Sequence, residues 1–129
     1  VIHSAAVGDY EVYEDMNQNR KISSNQSELI IKLRPAPKIL SQLKTRAPLS
    51  KVISFKAASP EISIEEMIEI AKKQLQKSKS DMVFANQIGQ IHQNIALVLS
   101  DNVMKFERRN DAIESVLSLI RSWMILGNQ

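Results

Sequence analysis

Three apolar stretches of the sequence carry residue types that can bind a nucleotide-like ligand. The first stretch ends in small residues followed by Asp9, the second contains Phe55, and the third ends in Asn86. Small side chains let a ligand approach the backbone, and a carboxylate accepts hydrogen bonds from sugar hydroxyls. An aromatic ring can stack on a base, and an amide can read a base edge. The candidate binding residues at these three places are Ser4, Ala5, Ala6, Asp9, Phe55, Ala85 and Asn86.

Each of these places also has a purely structural interpretation. Asp9 after Gly8 fits an exposed residue of a tight turn, Phe55 fits a core aromatic residue, and Asn86 fits a turn. The residue types alone therefore leave both ligand binding and plain structure open.

A cation lies in the middle of a long polar segment. Residues 10–27 show neither helical nor alternating periodicity, which predicts a mobile loop, and long loops in compact domains are usually functional or disordered. On such a flap, Lys21 can close over phosphate groups as a point charge. A solvated loop lysine is the alternative.

Further cations lie where helices are predicted. Arg34 and Lys38 flank the Pro-Ala-Pro segment at residues 35–37, a helix start at which free N–H groups favour anions. Lys73 and Lys77 are one turn apart on the next predicted helix. A charged, solvated helix surface is the alternative interpretation of these cations.

The composition excludes several kinds of site. The chain has no cysteine, which rules out disulfides, thiolate metal sites and a cysteine nucleophile, and favours a reducing cytoplasm. Its three glycines, Gly8, Gly89 and Gly127, cannot form a G-x-G-x-x-G turn or a P-loop, so a nucleotide site needs a phosphate cradle from another segment. The two histidines lack metal-ligand spacing, and we predict no metal-binding residue.

The predicted elements form an α/β fold. The predicted strands cover residues 1–7, 28–33, 51–56, 81–86, 95–99 and 103–107, the last two forming a hairpin. Helices are predicted after Pro37, after the capping box of Ser63 and Glu66, and after Asn110 or Asp111. This order indicates a Rossmann-like three-layer sheet with helices on both faces, a β-hairpin and a mobile flap.

Size and charge define the broad class of the chain. The 129 residues fit one α/β domain, residues 1–129. The net charge of +3 gives no strong nucleic-acid signal, and the apolar runs are too short to cross a membrane. Because the chain opens with Val1 inside what reads as a buried strand, we expect it to be the C-terminal part of a longer chain.

Several ordered segments together resemble the phosphopantothenate–cysteine ligases of coenzyme A biosynthesis. The resemblance lies in a small-residue strand ending in A-V-x-D-Y, a flap lysine motif K-I-x-S, a K-x-x-P-K-I-like turn after a strand, and a Phe, helix-lysine and Ala-Asn series. In this sequence those motifs lie at residues 2–10, 21–24, 29–39 and 55–86. The His-Ser before Ala-Ala and the Lys-Ile-Ser-Ser flap look most like the small stand-alone bacterial ligases.

The resemblance implies a two-step ligation. The carboxylate of 4'-phosphopantothenate would couple to the α-phosphate of CTP, the cosubstrate, with Mg²⁺ shielding the triphosphate. The amine of cysteine would then attack the acyl-cytidylate. The family's N-terminal part, with its phosphate loop, would be needed for activity, and the family forms homodimers.

The resemblance also assigns roles to individual residues. It gives Lys21 the catalytic role of stabilising charge on the phosphoryl group. The residues that would hold the nucleotide are Ser4, Ala5, Ala6, Asp9, Pro35, Ala36, Pro37, Lys38, Phe55, Lys73, Lys77, Ala85 and Asn86.

Two other functions remain open from the residues. The chain could be a non-catalytic Rossmann-like domain that binds a nucleotide or phosphate. It could also be an assembly domain that uses the helix at residues 111–126 and has no nucleotide affinity.

Overall fold

The secondary structure alternates strands and helices along most of the chain. A computed structural model describes residues 1–5, 7–13, 25 and 27–126. In chain order its elements are β1 (Ile2–His3), β2 (Tyr10–Val12), β3 (Leu33–Pro35), α1 (Ile39–Arg46), β4 (Ile53–Ala58), α2 (Ile64–Ser78), β5 (Met82–Gln87), β6 (Ile95–Val98), β7 (Val103–Phe106) and α3 (Arg109–Leu126).

The chain divides into two compact units. The sheet unit comprises Val1–Ser4 and Leu40–Gln129, and the ribbon unit comprises Ala5–Ile39. In the sheet unit, five strands form one sheet in the order β1-β4-β5-β6-β7. β1, β4 and β5 run parallel, whereas β6 and β7 are antiparallel to their neighbours. The predicted hairpin is therefore confirmed, and its turn is closed by the Leu99 N–H, which donates to the Asn102 carbonyl at 2.8 Å.

The sequence of α2 defines both of its ends. The Ser63 hydroxyl accepts from the Glu66 N–H at 3.1 Å, and the Glu66 carboxylate accepts from the Ser63 N–H at 2.9 Å. This predicted capping box satisfies backbone donors that the first turn leaves without a partner. At the other end, Lys79 adopts the left-handed conformation with φ of 55°, and its N–H donates to the Gln76 carbonyl.

The two faces of the sheet are covered by different helices. Under α2, the buried cluster is rich in small residues, with Ala71, Ala85 and Ala96 fully buried. Under α3, the cluster contains large side chains such as Phe84 and Leu97, against which Trp123 and other α3 residues pack. The chain therefore has the predicted Rossmann-like α/β fold with helices on both faces of a mixed sheet.

The helix α1 is tied to the sheet by a carboxylate. Asp81 accepts from Lys44 at 2.7 Å, from Lys51 at 3.1 Å and from the Val52 N–H at 2.8 Å. Lys44 also donates to the Ser50 carbonyl at 2.8 Å. Burial of the Asp81 carboxyl acts to raise its pKa, but these hydrogen bonds outweigh that effect, and the pKa lies below its ordinary value.

The first strand is shorter and more exposed than its sequence indicates. The apolar run at residues 1–7 predicts a buried strand, but β1 has two residues and Ile2 is 59% exposed. Among the described residues, β1 pairs only with β4 and so lies at an edge of the sheet. The prediction of a buried strand here is wrong.

The strands of the ribbon unit lie at other residues than predicted. Its two strands, β2 and β3, pair antiparallel, so part of the predicted loop at residues 10–27 is a strand. The predicted strand at residues 28–33 is wrong, because Ile30 is 70% exposed and regular pairing begins at Leu33. The short ribbon is held by backbone pairing, which an apolar run does not reveal. The flap at residues 14–24 lies outside the described residues.

The helices that the structure describes are all too short or too polar to cross a membrane.

Candidate functional site

The strongest candidate site lies on the face of the sheet that α3 covers, towards the carboxyl ends of β4 and β5. In the parallel register Phe55 pairs with Phe84 and Ala57 pairs with Asn86. Because side chains alternate along a strand, all four point to the α3 face, on which Phe84 packs. Ala57 is exposed, and Phe55 and Asn86 are half-buried. A small residue therefore leaves an aromatic ring and an amide open to solvent on one face.

The ring of Phe55 packs on the buried ring of Phe84. Its centroid lies 5.2 Å from that of Phe84, with 29° between the planes, and Phe84 itself is 2% exposed. The Gln74 side-chain amide donates to the Phe55 carbonyl and to the Ser54 hydroxyl, each at 3.1 Å. β4 runs three residues beyond Phe55, so Phe55 lies inside the strand and not at its end. One part of the ring is packed, and the remainder can receive a flat ligand.

The amide of Asn86 has a defined orientation. Its Nδ2 donates to the Gln87 carbonyl at 3.1 Å. Within the part of the chain that the structure describes, its Oδ1 accepts no hydrogen bond, so this oxygen is available as an acceptor. The neighbouring Gln87 is buried and donates to the Ile62 carbonyl at 2.5 Å, which fixes the end of β5.

The sheet separates three of the other candidates of this unit, Ala85, Lys73 and Lys77, from Phe55. Ala85 is fully buried in the cluster under α2, so only its backbone can meet a ligand. Lys73 and Lys77 are exposed on α2, the helix that covers the opposite face from Phe55. Lys73 lines a groove of about 630 Å³ together with Ile62 and Lys105. Ser4 is exposed and follows β1.

In the ribbon unit, the fold brings together five of the candidates. Pro35 is the last residue of β3 and pairs with Tyr10. The Ala36 N–H donates to the Asp9 carbonyl at 2.9 Å, and the Lys38 ammonium forms an ion pair with the Asp9 carboxylate. Pro37 lies between these two anchors and is exposed. The segment from Ala36 to Lys38 is therefore joined to Asp9 by a backbone hydrogen bond and an ion pair.

A second ion pair balances the charge of this ribbon. Arg34 Nε lies 2.7 Å from the Glu11 carboxylate, and its guanidinium lies over the Tyr13 ring at 5.9 Å. Both cations of the segment therefore have an acidic neighbour. Ala5 is exposed in this unit, whereas Ala6 and Lys21 lie outside the described residues.

Two residues at the sheet site were missed by the sequence analysis. Ala57 opens the space above Phe55, and Arg109, the first residue of α3, places its guanidinium 5.2 Å from the centre of the Phe84 ring. Arg109 also donates from Nη1 to the Ile91 carbonyl at 3.1 Å. Its partners are distant in sequence, so no spacing rule indicates this contact.

Metal binding by protein side chains has no candidate in the described ranges. Among residues 1–5, 7–13, 25 and 27–126, no three His, Asp or Glu side chains converge on one point. The sheet site instead offers an aromatic ring, an amide and backbone groups.

Two curated relatives of the chain are named for coenzyme A biosynthesis or for phosphopantothenate–cysteine ligation. The chain is 35% identical over 111 residues to the coenzyme A biosynthesis bifunctional protein CoaBC of Thermococcus kodakarensis, covering 84% of this chain and 27% of that protein. It is 29% identical over 119 residues to phosphopantothenate–cysteine ligase 1 of Oryza sativa, covering 92% of this chain and 36% of the ligase. The chain thus spans about a third or less of these relatives.

Solved structures share the fold. The DNA/pantothenate metabolism flavoprotein from Streptococcus pneumoniae matches with a TM-score of 0.80 and 25% identity, over 95% of this chain and 62% of that one. A Cab2 variant solved with phosphopantothenate-cysteine has the same fold, with a TM-score of 0.74 and 18% identity, over 96% of this chain and 44% of that one.

A family model settles the relationship. It is described as the DNA/pantothenate metabolism flavoprotein C-terminal domain, and it matches residues 1–119, nearly the whole chain. The chain therefore belongs to the family of DNA/pantothenate metabolism flavoprotein C-terminal domains.

Proposed function

We propose that this chain is the nucleotide-binding part of a phosphopantothenate–cysteine ligase that uses CTP. The observation that carries the proposal is the half-buried Phe55 ring, stacked on Phe84 and left open by Ala57 beside Asn86. Membership of a family whose relatives include a phosphopantothenate–cysteine ligase supports it.

The reaction needs activation because a carboxylate is a poor electrophile. The carboxylate oxygen of 4'-phosphopantothenate attacks the α-phosphorus of CTP. The bond between this phosphorus and the bridging oxygen breaks, and pyrophosphate leaves with the electron pair of that bond. The cysteine amine then attacks the acyl carbon, loses a proton and displaces CMP, which forms the amide bond. Negative charge grows on phosphoryl oxygens in the first step, so fixed cations lower its barrier. Mg²⁺, carried by the triphosphate, shields its charge.

We assign each of the described residues to the part of the nucleotide that its chemistry suits. Phe55 stacks on the base, and the Asn86 oxygen accepts from an amino group on the base edge. For the ribbon unit taken by itself, Asp9 is assigned to ribose hydroxyls, and the segment from Pro35 to Lys38 offers its backbone and one cation to a nucleotide. Ser4, Ala5 and Ala6 let the nucleotide approach the backbone. Lys73 and Lys77 are assigned to the nucleotide by the resemblance alone, because α2 covers the opposite face of the sheet from Phe55.

Lys21 is assigned the catalytic role. On the flap it supplies a cation to the phosphoryl group and helps to keep water from the acyl-cytidylate. We predict that Lys21→Ala lowers turnover at least about tenfold, which corresponds to about 1.4 kcal/mol of barrier. As a control, Arg121→Ala on the exposed surface of α3 also removes one positive charge and should leave turnover unchanged. Equal turnover in both variants would remove Lys21 from the mechanism.

The chain's own glycines provide no phosphate loop, so we propose that activity needs one from another segment. The test has two parts. Titration calorimetry should show that the 129-residue chain binds CTP with Mg²⁺. A chimera in which these residues replace the matching segment of the Thermococcus kodakarensis protein should release pyrophosphate only with CTP and phosphopantothenate.

The outcomes separate the possible functions. No heat of binding with CTP or ATP would refute the proposal. Nucleotide binding without pyrophosphate release in the chimera would favour the non-catalytic nucleotide-binding domain. Pyrophosphate release by the chain alone would refute the need for an added phosphate loop. A homodimer in the cytoplasm is part of the same proposal, and sedimentation of the purified chain tests the dimer.

A further inference from the structure

We propose that Arg109 is a positioning residue of the nucleotide site, which holds the Phe55 ring in the orientation that stacks on the base. It acts through Phe84, whose ring contacts both the Arg109 guanidinium and the Phe55 ring. The inference rests on the proposed function, because it assumes that Phe55 meets a base. It adds a residue from α3 to a site otherwise built from β4 and β5.

The contacts form a continuous stack. The Arg109 guanidinium carbon lies 5.2 Å from the centre of the Phe84 ring, and the Phe84 and Phe55 ring centres are also 5.2 Å apart. Phe84 is 2% exposed, so its ring orientation is set by the side chains packed on it, and the Arg109 guanidinium is one of these. Phe55 is half-buried and has only this ring contact among the aromatic contacts of the described residues. The orientation of Phe55 therefore depends on that of Phe84.

Arg109 is itself held at both ends. Its backbone N–H donates to the His92 carbonyl at 2.9 Å, and its Nη1 donates to the Ile91 carbonyl at 3.1 Å. A planar guanidinium can lie over a ring and donate such a hydrogen bond at the same time, which an ammonium does less well. The half-buried Arg109 is thus a fixed support, whereas its neighbour Arg108 is exposed and pairs with Asp111 at 2.8 Å.

A fixed support improves binding because less ring motion is lost when the base arrives. This gain in affinity comes from the contact with the base and does not depend on the number of phosphates. Loss of Arg109 should therefore weaken the binding of CMP and CTP by the same factor. A direct contact of Arg109 with phosphate would instead weaken CTP much more than CMP, because CTP carries more charge.

The experiment compares Arg109→Met, Arg109→Lys and the matched control Arg108→Met. Calorimetry with CMP and with CTP measures affinity, and NMR of labelled phenylalanine rings follows Phe55 without nucleotide. We expect Arg109→Met to weaken both nucleotides about three- to tenfold and to shift the Phe55 ring signals. Arg109→Lys should be intermediate, and Arg108→Met should change affinity less than about twofold. Thermal unfolding verifies that each variant is folded.

Three results would overturn the inference. Unchanged affinity and unchanged Phe55 signals in Arg109→Met would refute the role of Arg109 while leaving the proposed function intact. A loss confined to CTP would refute positioning in favour of direct phosphate contact. Failure of the unmodified chain to bind either nucleotide would refute the proposed function, and the role of Arg109 in nucleotide binding with it.

Discussion

Asp81→Asn removes one negative charge from the junction between α1 and the sheet. The amide keeps an acceptor for the Val52 N–H but can no longer balance the ammonium of Lys44, which is 19% exposed. Lys44 retains its hydrogen bond to the Ser50 carbonyl. The substitution therefore isolates the charge of Asp81 from its shape.

The size of the effect follows from the contacts. Hydrogen bonds to charged groups contribute about 1.5–3 kcal/mol each when partly buried, and the Lys44 contact at 2.7 Å is of this kind. The contact with Lys51 is weaker, because Lys51 is 54% exposed and exposed pairs contribute about 0–1 kcal/mol. We predict that Asp81→Asn lowers the free energy of unfolding by about 2–3 kcal/mol at pH 7.

The pH dependence has a defined sign. The pKa of Asp81 in the folded chain lies below the unfolded value of about 3.9. Its contribution is therefore complete above that value and is lost as the pH falls through the folded pKa. The difference in stability between the unmodified chain and Asp81→Asn should shrink below about pH 4.

Urea denaturation followed by circular dichroism measures these differences. In a double-mutant cycle, Lys44→Met should couple to Asp81→Asn by about 1–2 kcal/mol, and Lys51→Met by less than about 0.5 kcal/mol. Equal coupling of the two lysines, or a loss below about 0.5 kcal/mol for Asp81→Asn, would refute the argument from burial.

The remaining stability predictions concern α2, and urea denaturation measures both. Ser63→Ala removes the cap of α2 and should cost about 0.5–2 kcal/mol, whereas Ser63→Asp should restore most of the loss, and equal stabilities would contradict capping. Met67→Ala empties a fully buried position and should cost about 2–5 kcal/mol. Its control, Met67→Leu, keeps the volume and should cost less than about 1.5 kcal/mol.

The helix α2 was predictable because its signals are local. The capping box of Ser63 and Glu66 lies within four residues, and the apolar spacing after it identifies the buried side. The buried strands β4 and β5 were found from apolar runs, with boundaries that moved by one or two residues.

The short strands were harder to predict, since their signals are not local. β2 consists of three residues whose partner is 23 positions away, as the pairing of Glu11 with Arg34 shows. The exposed apolar residues near Ile30 imitate a strand without forming one. Whether such a short strand forms depends on its pairing partner rather than on its own residue types.

The candidate site also combines residues with local sequence signals and contacts that are not local in sequence. Phe55 and Asn86 were recognised by residue type, and the strand register shows that they share a face. The support from Arg109 depends on how α3 meets the sheet, which the sequence does not reveal. The catalytic role of Lys21 and the other assigned site residues remain predictions.

The contrast between the two helix layers governs which substitutions the core accepts. Between α2 and the sheet, Ala71 on the helix and Ala96 on β6 allow close approach, so extra methylene groups there would push the helix outward. Beneath α3, bulky side chains such as Phe84 and Leu97 fill the space, so truncation there would leave a void. Sequence drift in this chain should therefore be limited by enlargement at the small positions of the α2 side, and by shrinkage at the large buried positions on either side of the sheet.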